Sequence, residues 1–289
     1  MATHANTLPA AAATGTAAGG RHYRRFDALD RVMHAFLMIS FIGCALTGLP
    51  LLVADHGWAQ WFARFLGGFQ SAQLIHRICA GIMIVVFVGH VVRVFATAVR
   101  TGKWLEMVWS PNSMVPNLKD VEDIVGHVKW FVGKGPRPRF DRYTYWEKFD
   151  YWAVFWGMFI IGGSGLLLWF PFFFSNFLPG WMFNIATLVH GEEALLAVGF
   201  IFTIHFFNGH IRPEKFPMDP VIFTGRVSEH EMLEERGTEY DRLVKEGALA
   251  ALETTPASPG LRKLAYAIGI PAVTLGVITV ILIVYSFLT

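Results

Sequence analysis

Five stretches of this chain are long and apolar enough to cross a bilayer, and no other feature of the sequence restricts its fold as strongly. They cover 32–54, 73–98, 149–172, 182–208 and 264–288. At about 20 residues per ~30 Å of hydrocarbon, each reads as a membrane-spanning segment. Hydrocarbon offers no water to satisfy backbone polar groups, so such segments are helical. The composition agrees: 54% of the residues are hydrophobic, 15% aromatic and 16% charged, a balance too apolar for an ordinary soluble domain. The opening MATHANTLPAAAATGTAAGG is small and polar without an apolar run, and it reads as a disordered tail rather than a cleaved signal.

Lysine and arginine mark the sides. They crowd the tail before the first span, the segment between spans two and three, and the segment between spans four and five. The segment 55–72 has one arginine and PFFFSNFLPGW (171–181) has no charge. The basic segments are expected on the cytoplasmic side of a bacterial inner membrane, with the N-terminus inside and the C-terminus in the periplasm. The chain reads as an all-α integral membrane protein. Residues 1–25 form a disordered tail, 26–215 a four-helix bundle with short outer loops, 216–262 a cytoplasmic helical segment and linker, and 263–289 a fifth membrane helix. Between spans two and three, LKDVEDIVGHVKWFVG has apolar residues at helical spacing and is expected at the membrane surface. His127 within it reads as a surface residue rather than a ligand.

Several chemistries are excluded. The two cysteines, Cys44 and Cys79, lie inside spans with no CxxC or CxxCH, so the chain lacks the usual means to hold an iron–sulfur cluster or a c-type haem. No Arg/Lys stripe with interleaved aromatics suggests nucleic acid as a partner, and neither a serine-type nucleophile nor a phosphate loop is present.

The histidines carry the functional signal. Span two holds His76 and His90, fourteen residues apart, and span four holds His190 and His205, fifteen apart. These separations correspond to ~21 and ~22 Å along a helix and return to within roughly 40° and 60° of one face. Each helix therefore presents one imidazole near each surface: His76 and His190 outside, His90 and His205 inside, with His34 of span one also inside. One imidazole from each of two facing helices is what six-coordinate haem iron requires. Two b-type haems stacked across the membrane are expected, giving a di-haem cytochrome b bundle plus a fifth helix. Zinc or di-iron is disfavoured because the histidines are far apart and no Glu-x-x-His pair repeats. Gly43, Gly48, Gly81 and GGSG (162–165) are expected to allow close approach of helix backbones to a macrocycle or to one another. Arg31, Arg77 and Arg93, near the ligand candidates at the span ends, are potential propionate partners. Glu192 and Glu193 are expected at the outer water boundary.

DRVMHAFLMISFIGCALTGLPLLV, AQLIHRICAG, RYTYWEKFDYW and VHGEEALLAVGFIFTIH resemble the cytochrome b (gamma) subunits of respiratory formate dehydrogenases, which are allied to the b subunits of nickel–iron hydrogenases and thiosulfate reductases. The resemblance spans roughly 21–243. It implies that His76 and His190 hold the outer haem, and His34 and His205 the inner one. His90 is then the alternative inner ligand or has a supporting or quinone-side role, and His210 lies off the haem face. It also implies a quinone, menaquinone or ubiquinone, near the inner haem among His205, Asn208, Gly209 and RYTYWEK. There the chain has Thr144 and Trp146, where the family tends to have Asn and Gly. The fifteen-residue spacing in span four is one more than usual in the family, which predicts a bulge between Gly191 and Ile204. The fifth span departs from the four-span family pattern and is expected against a partner subunit.

The function implied is that of a membrane-anchoring electron-transfer subunit linking quinone to an external redox partner: iron–sulfur and catalytic subunits, or a multihaem cytochrome c. Two alternatives remain at this level. One is a quinol-oxidising b subunit feeding a periplasmic multihaem cytochrome c or terminal reductase. The other is a haem-free anchor or proton-relaying transporter.

Overall fold

The computed structural model describes residues 20–289. The expected tail therefore lies mostly outside the described residues. Its last part is ordered: His22–Arg24 forms a strand, β1, and Tyr23 within it is fully buried. Sequence alone hid this because a three-residue strand gains its stability from distant partners.

Helix α1 (Ala28–Leu52) is the first span. It starts at a capping box in which Asp27 accepts from the Asp30 amide and Asp30 from the Asp27 amide. On the outer side α2 (Gly57–Phe65) follows, burying Ala59 and Ala63 and turning Trp61 and Phe65 outward. Helix α3 (Phe69–Thr101) is the second span, 33 residues long. That is about 50 Å, well beyond the hydrocarbon thickness, and it stops at Gly102, whose left-handed backbone suits glycine. The next segment carries α4 (Trp104–Trp109) and α5 (Leu118–Phe131). The third span, α6 (Tyr145–Trp169), contains a π-helical turn at Met158–Gly162. The fourth, α7 (Trp181–Ile211), is α-helical to Phe200 and then π-helical at Ile201–His205 and Phe207–Ile211.

Beyond the fourth span the chain builds a small cap. Strand β1 lies between β2 (Arg226–Ser228) and β3 (Glu253–Thr254), antiparallel to both. Helices α8 (Glu229–Glu235) and α9 (Gly237–Lys245) pack Met232 and Leu243 against Tyr23, Val221 and Val227. The segment expected to be only helix and linker thus also supplies two strands. Under the sheet runs a buried ionic layer. Arg25 contacts Glu147 at 3.1 Å and Glu239 at 3.6 Å, and Arg236 contacts Glu147 at 2.8 Å and Glu235 at 3.1 Å. Burial opposes the charge on Arg236, but Glu147, Glu235 and Glu239 outweigh it and hold the guanidinium above its ordinary value. Lys215 behaves likewise, with Asp219, Glu235 and Glu231 offsetting its burial.

The fifth span, α10 (Pro259–Leu288), packs one face within this chain and leaves Leu264, Ile281 and Val284 exposed on the other. Its inner face repeats Ala265, Gly269, Ala272, Gly276, Thr279 and Ser286 at heptad-like spacing. Small residues let Phe202 and Phe206 of α7 seat against Gly276, and Met218 against Gly269. At the outer end, the Trp58 indole donates to Ser286 Oγ at 2.9 Å.

Candidate functional site

The outer half of the bundle brings His76 and His190 face to edge. Their ring centroids are 6.2 Å apart and their planes 74° apart. Two imidazoles bonded at about 2 Å to one metal ion have centroids roughly 6 Å apart, so these rings already stand at the separation that axial ligation of one iron requires.

Each ring is held by the same three-part device on the neighbouring helix. On α1, Cys44 O lies 3.1 Å from His76 Nδ1 and Thr47 Oγ1 3.1 Å from it; a Cβ on Gly48 would sit 3.0 Å from the His76 ring. On α6, Ile161 O lies 2.9 Å from His190 Nδ1 and Ser164 Oγ 3.2 Å from it; a Cβ on Gly165 would sit 3.0 Å from the His190 ring. Carbonyl, hydroxyl and glycine fall at the same offsets in both helices, at 44, 47, 48 and at 161, 164, 165. Both hydroxyls donate to carbonyls of their own helix, Gly43 O at 2.6 Å and Ile160 O at 2.7 Å. The carbonyls can only accept, so Nδ1 of each imidazole carries the proton and Nε2 keeps its lone pair for a metal. Of the other glycines singled out, Gly43 closes on Cys79 and Gly81 has open space where a Cβ would lie.

The inner half is built differently. His205 donates from Nδ1 to Asp150 Oδ2 at 2.8 Å, so its Nε2 is the ring nitrogen not engaged by the carboxylate. The π-helical turn at Ile201–His205 accommodates one extra residue, so fifteen residues from His190 do the work of fourteen. This bulge falls at the C-terminal end of the interval expected from the spacing. His34 lies close enough to His205 and His210 for charges on the three rings to interact. His90 turns Nε2 to Tyr151 Oη at 2.9 Å, the nitrogen a haem ligand would need. His210 accepts the Asp219 amide on Nδ1 at 3.2 Å, which puts its proton on Nε2. Its ring stands edge-on to His205 at 6.3 Å.

The arginines separate. Arg31 donates to Phe223 O at 3.1 Å and Asp27 O at 3.2 Å, and Arg93 pairs with Asp27 at 2.7 Å and Asp30 at 2.6 Å. Both are committed to the inner rim of the fold. Arg77 lies over the Trp169 ring at 5.9 Å, beside the outer pair. Thr144 is buried as the N-cap of α6, its hydroxyl bonded to Glu147, whereas Asn208 and Gly209 lie in the second π-helical stretch of α7. Glu193 departs from expectation: it accepts from the Trp156 indole at 3.1 Å, half-way along α6. That contact places it near the middle of the span rather than at the outer boundary. Thr47, Ser164 and Asp150 are the residues that sequence reasoning missed; the paired TG and SG dipeptides were the available signal.

No protein-family model matches the chain. Over 171 residues, 59% of the chain, it is 19% identical to the cytochrome b556(Fdn) subunit of the nitrate-inducible formate dehydrogenase of Escherichia coli K12, covering 70% of that protein. The corresponding subunits of Escherichia coli O157:H7 and Shigella flexneri match equally. With five apolar helices long enough to cross a membrane, the chain is an all-α integral membrane protein similar to the cytochrome b subunits of formate dehydrogenases.

Proposed function

We propose that this chain is a di-haem b electron-transfer subunit of a respiratory oxidoreductase, linking a redox partner outside the membrane to a quinone near the cytoplasmic face. The observation that carries the reading is the His76–His190 pair, 6.2 Å apart with both Nδ1 atoms held by protein acceptors. A proton-relaying histidine gains nothing from a locked tautomer, whereas an axial ligand does. Bound haem b supplies reversible one-electron storage at each level. His76 and His190 would hold the outer iron, His34 and His205 the inner one, and Arg77 would pair with a propionate. His90, bonded through Nε2 to Tyr151, supports the inner site rather than ligating it. Quinone, menaquinone or ubiquinone, is reduced beside His205, Asn208 and Gly209. Electrons arrive from iron–sulfur and catalytic subunits, because this chain has no ligands for such clusters.

The test is a reduced-minus-oxidised absorption spectrum of the purified chain with pyridine haemochrome quantification. Two haems b per chain are expected, falling to one in His190→Ala and remaining two in His90→Ala. Absence of a b-type α-band would overturn the reading and leave the haem-free alternative.

A further inference from the structure

We propose that Asp150 is a positioning residue that makes the inner haem the harder of the two to reduce, by giving His205 a carboxylate where the outer ligands have only neutral acceptors. The proposal rests on the haem-ligand reading of His205. His76 and His190 donate Nδ1–H to carbonyl oxygens supported by hydroxyls. Of these three imidazoles only His205 donates to a carboxylate, Asp150 Oδ2 at 2.8 Å. The side chain of Asp150 is 16% exposed, and among the described residues its only ionic contact is that imidazole. Its second oxygen, Oδ1, is buried with no hydrogen-bond partner. No lysine or arginine therefore neutralises the charge locally.

An imidazole that donates to a carboxylate is a stronger base and a better donor to a metal than one that donates to an amide carbonyl. The electrostatic effect has the same sign. A negative charge held a few ångströms from the iron, where water is scarce and effective dielectric low, favours the form with one more positive charge, the ferric state. The inner iron then holds its added electron less tightly and is the stronger reductant toward a quinone beside it. Tyr151, the next residue, occupies His90 Nε2, so consecutive positions of α6 address the two histidines that could compete for the inner iron, and give them opposite roles.

The experiment is a redox titration at fixed pH of the full-length chain, following the haem b α-band, for the unmodified protein, D150N and D150E. Asparagine keeps the size and an acceptor oxygen but removes the charge. In D150N one of two titrating components is expected to be about tenfold more reduced at its original midpoint, a rise of ~59 mV for one electron. The other component should not move. His190→Ala, which removes the outer site, should leave the moving component. D150E should stay near the original potential. If D150N moves neither component, or only the one lost in His190→Ala, the proposal fails while the two-haem reading stands. If D150N loses the inner haem altogether, D150E decides: haem retained at the original potential supports the proposal, and haem retained at a raised potential overturns it. An unmodified protein without b-type absorption removes the underlying reading instead.

Discussion

At the residue scale, glycine is what lets an imidazole sit flush against a neighbouring helix. A Cβ at Gly165 would lie 3.0 Å from His190 Cε1 and 3.3 Å from Nδ1, closer than ordinary contact. Gly165→Val therefore forces the ring off its acceptors, and haem content is expected to fall from two to one per chain, measured by pyridine haemochrome. Gly81→Val, which meets open space, should keep two. Ser164→Ala leaves Ile161 O as acceptor, so it should retain both haems and cost roughly 1 kcal/mol, the worth of one neutral hydrogen bond, in thermal unfolding. The histidines themselves were legible in sequence because a polar ring in an apolar span is costly and thus informative. What the rings do with their second nitrogens was not legible. That depends on which residue of another helix arrives opposite, and Tyr151 at His90 and Asp150 at His205 are tertiary facts with no periodic signature.

Among the elements, α5 inverts the usual arrangement. Its polar side is the buried one: Asp120 pairs with Lys148 at 2.8 Å with both side chains almost fully enclosed, and Lys119 pairs with Asp123. Its apolar stripe faces outward, with Leu118 82%, Val121 57%, Val128 57% and Phe131 73% exposed. The preceding loop is tied to the third span at membrane depth, where the Trp152 indole donates to Met114 O at 3.0 Å. A helix so placed between two spans is expected to bury its apolar side in the lipid on the sheet side. Spin labels at Val121→Cys and Val128→Cys in proteoliposomes should collide freely with oxygen and poorly with a nickel chelate; the reverse ranking would put α5 in water. His127 gives the same helix a pH dependence. Burial, then Arg137 and Arg212, push its imidazole below the ordinary value, while Tyr145 Oη meets Nδ1 at 3.1 Å. The unfolded histidine takes up its proton first as pH falls below about 6.5, so this stabilisation is complete above that value and is lost on acidification toward the lower, folded pKa. The melting temperature in detergent should drop more between pH 7 and 5 for the native chain than for His127→Phe. The helix and its outward apolar stripe were readable from the period, since an amphipathic stripe needs no knowledge of neighbours. The π-helical turn of the third span was not, because only Met158–Gly162 and no spacing anomaly marks it.

For the whole molecule, topology and charge can be checked against each other. Strands β1, β2 and β3 share one sheet, so residues before the first span and after the fourth lie on one side, as four crossings require. The segments on that side carry Arg21, Arg24 and Arg25, then seven basic residues over 102–144 and six over 212–258. The opposite segments carry Arg64 alone over 53–68 and none over 170–180. By the positive-inside rule the sheet side is expected in the cytoplasm. The fifth span breaks the symmetry: α10 starts beside the cap at Pro259 and ends beside Trp58 on the outer side through Ser286. A chain with even crossings would return its C-terminus to the sheet side, and this one cannot. Fused to the C-terminus, alkaline phosphatase, which is active only in the periplasm, should therefore be active, while the same enzyme fused after residue 258 should be silent. Activity after residue 258 with silence at the C-terminus would mean that the cap is outside. Silence at both would mean that α10 does not cross, and the Trp58–Ser286 bond, which closes the outer end of the bundle, could not form.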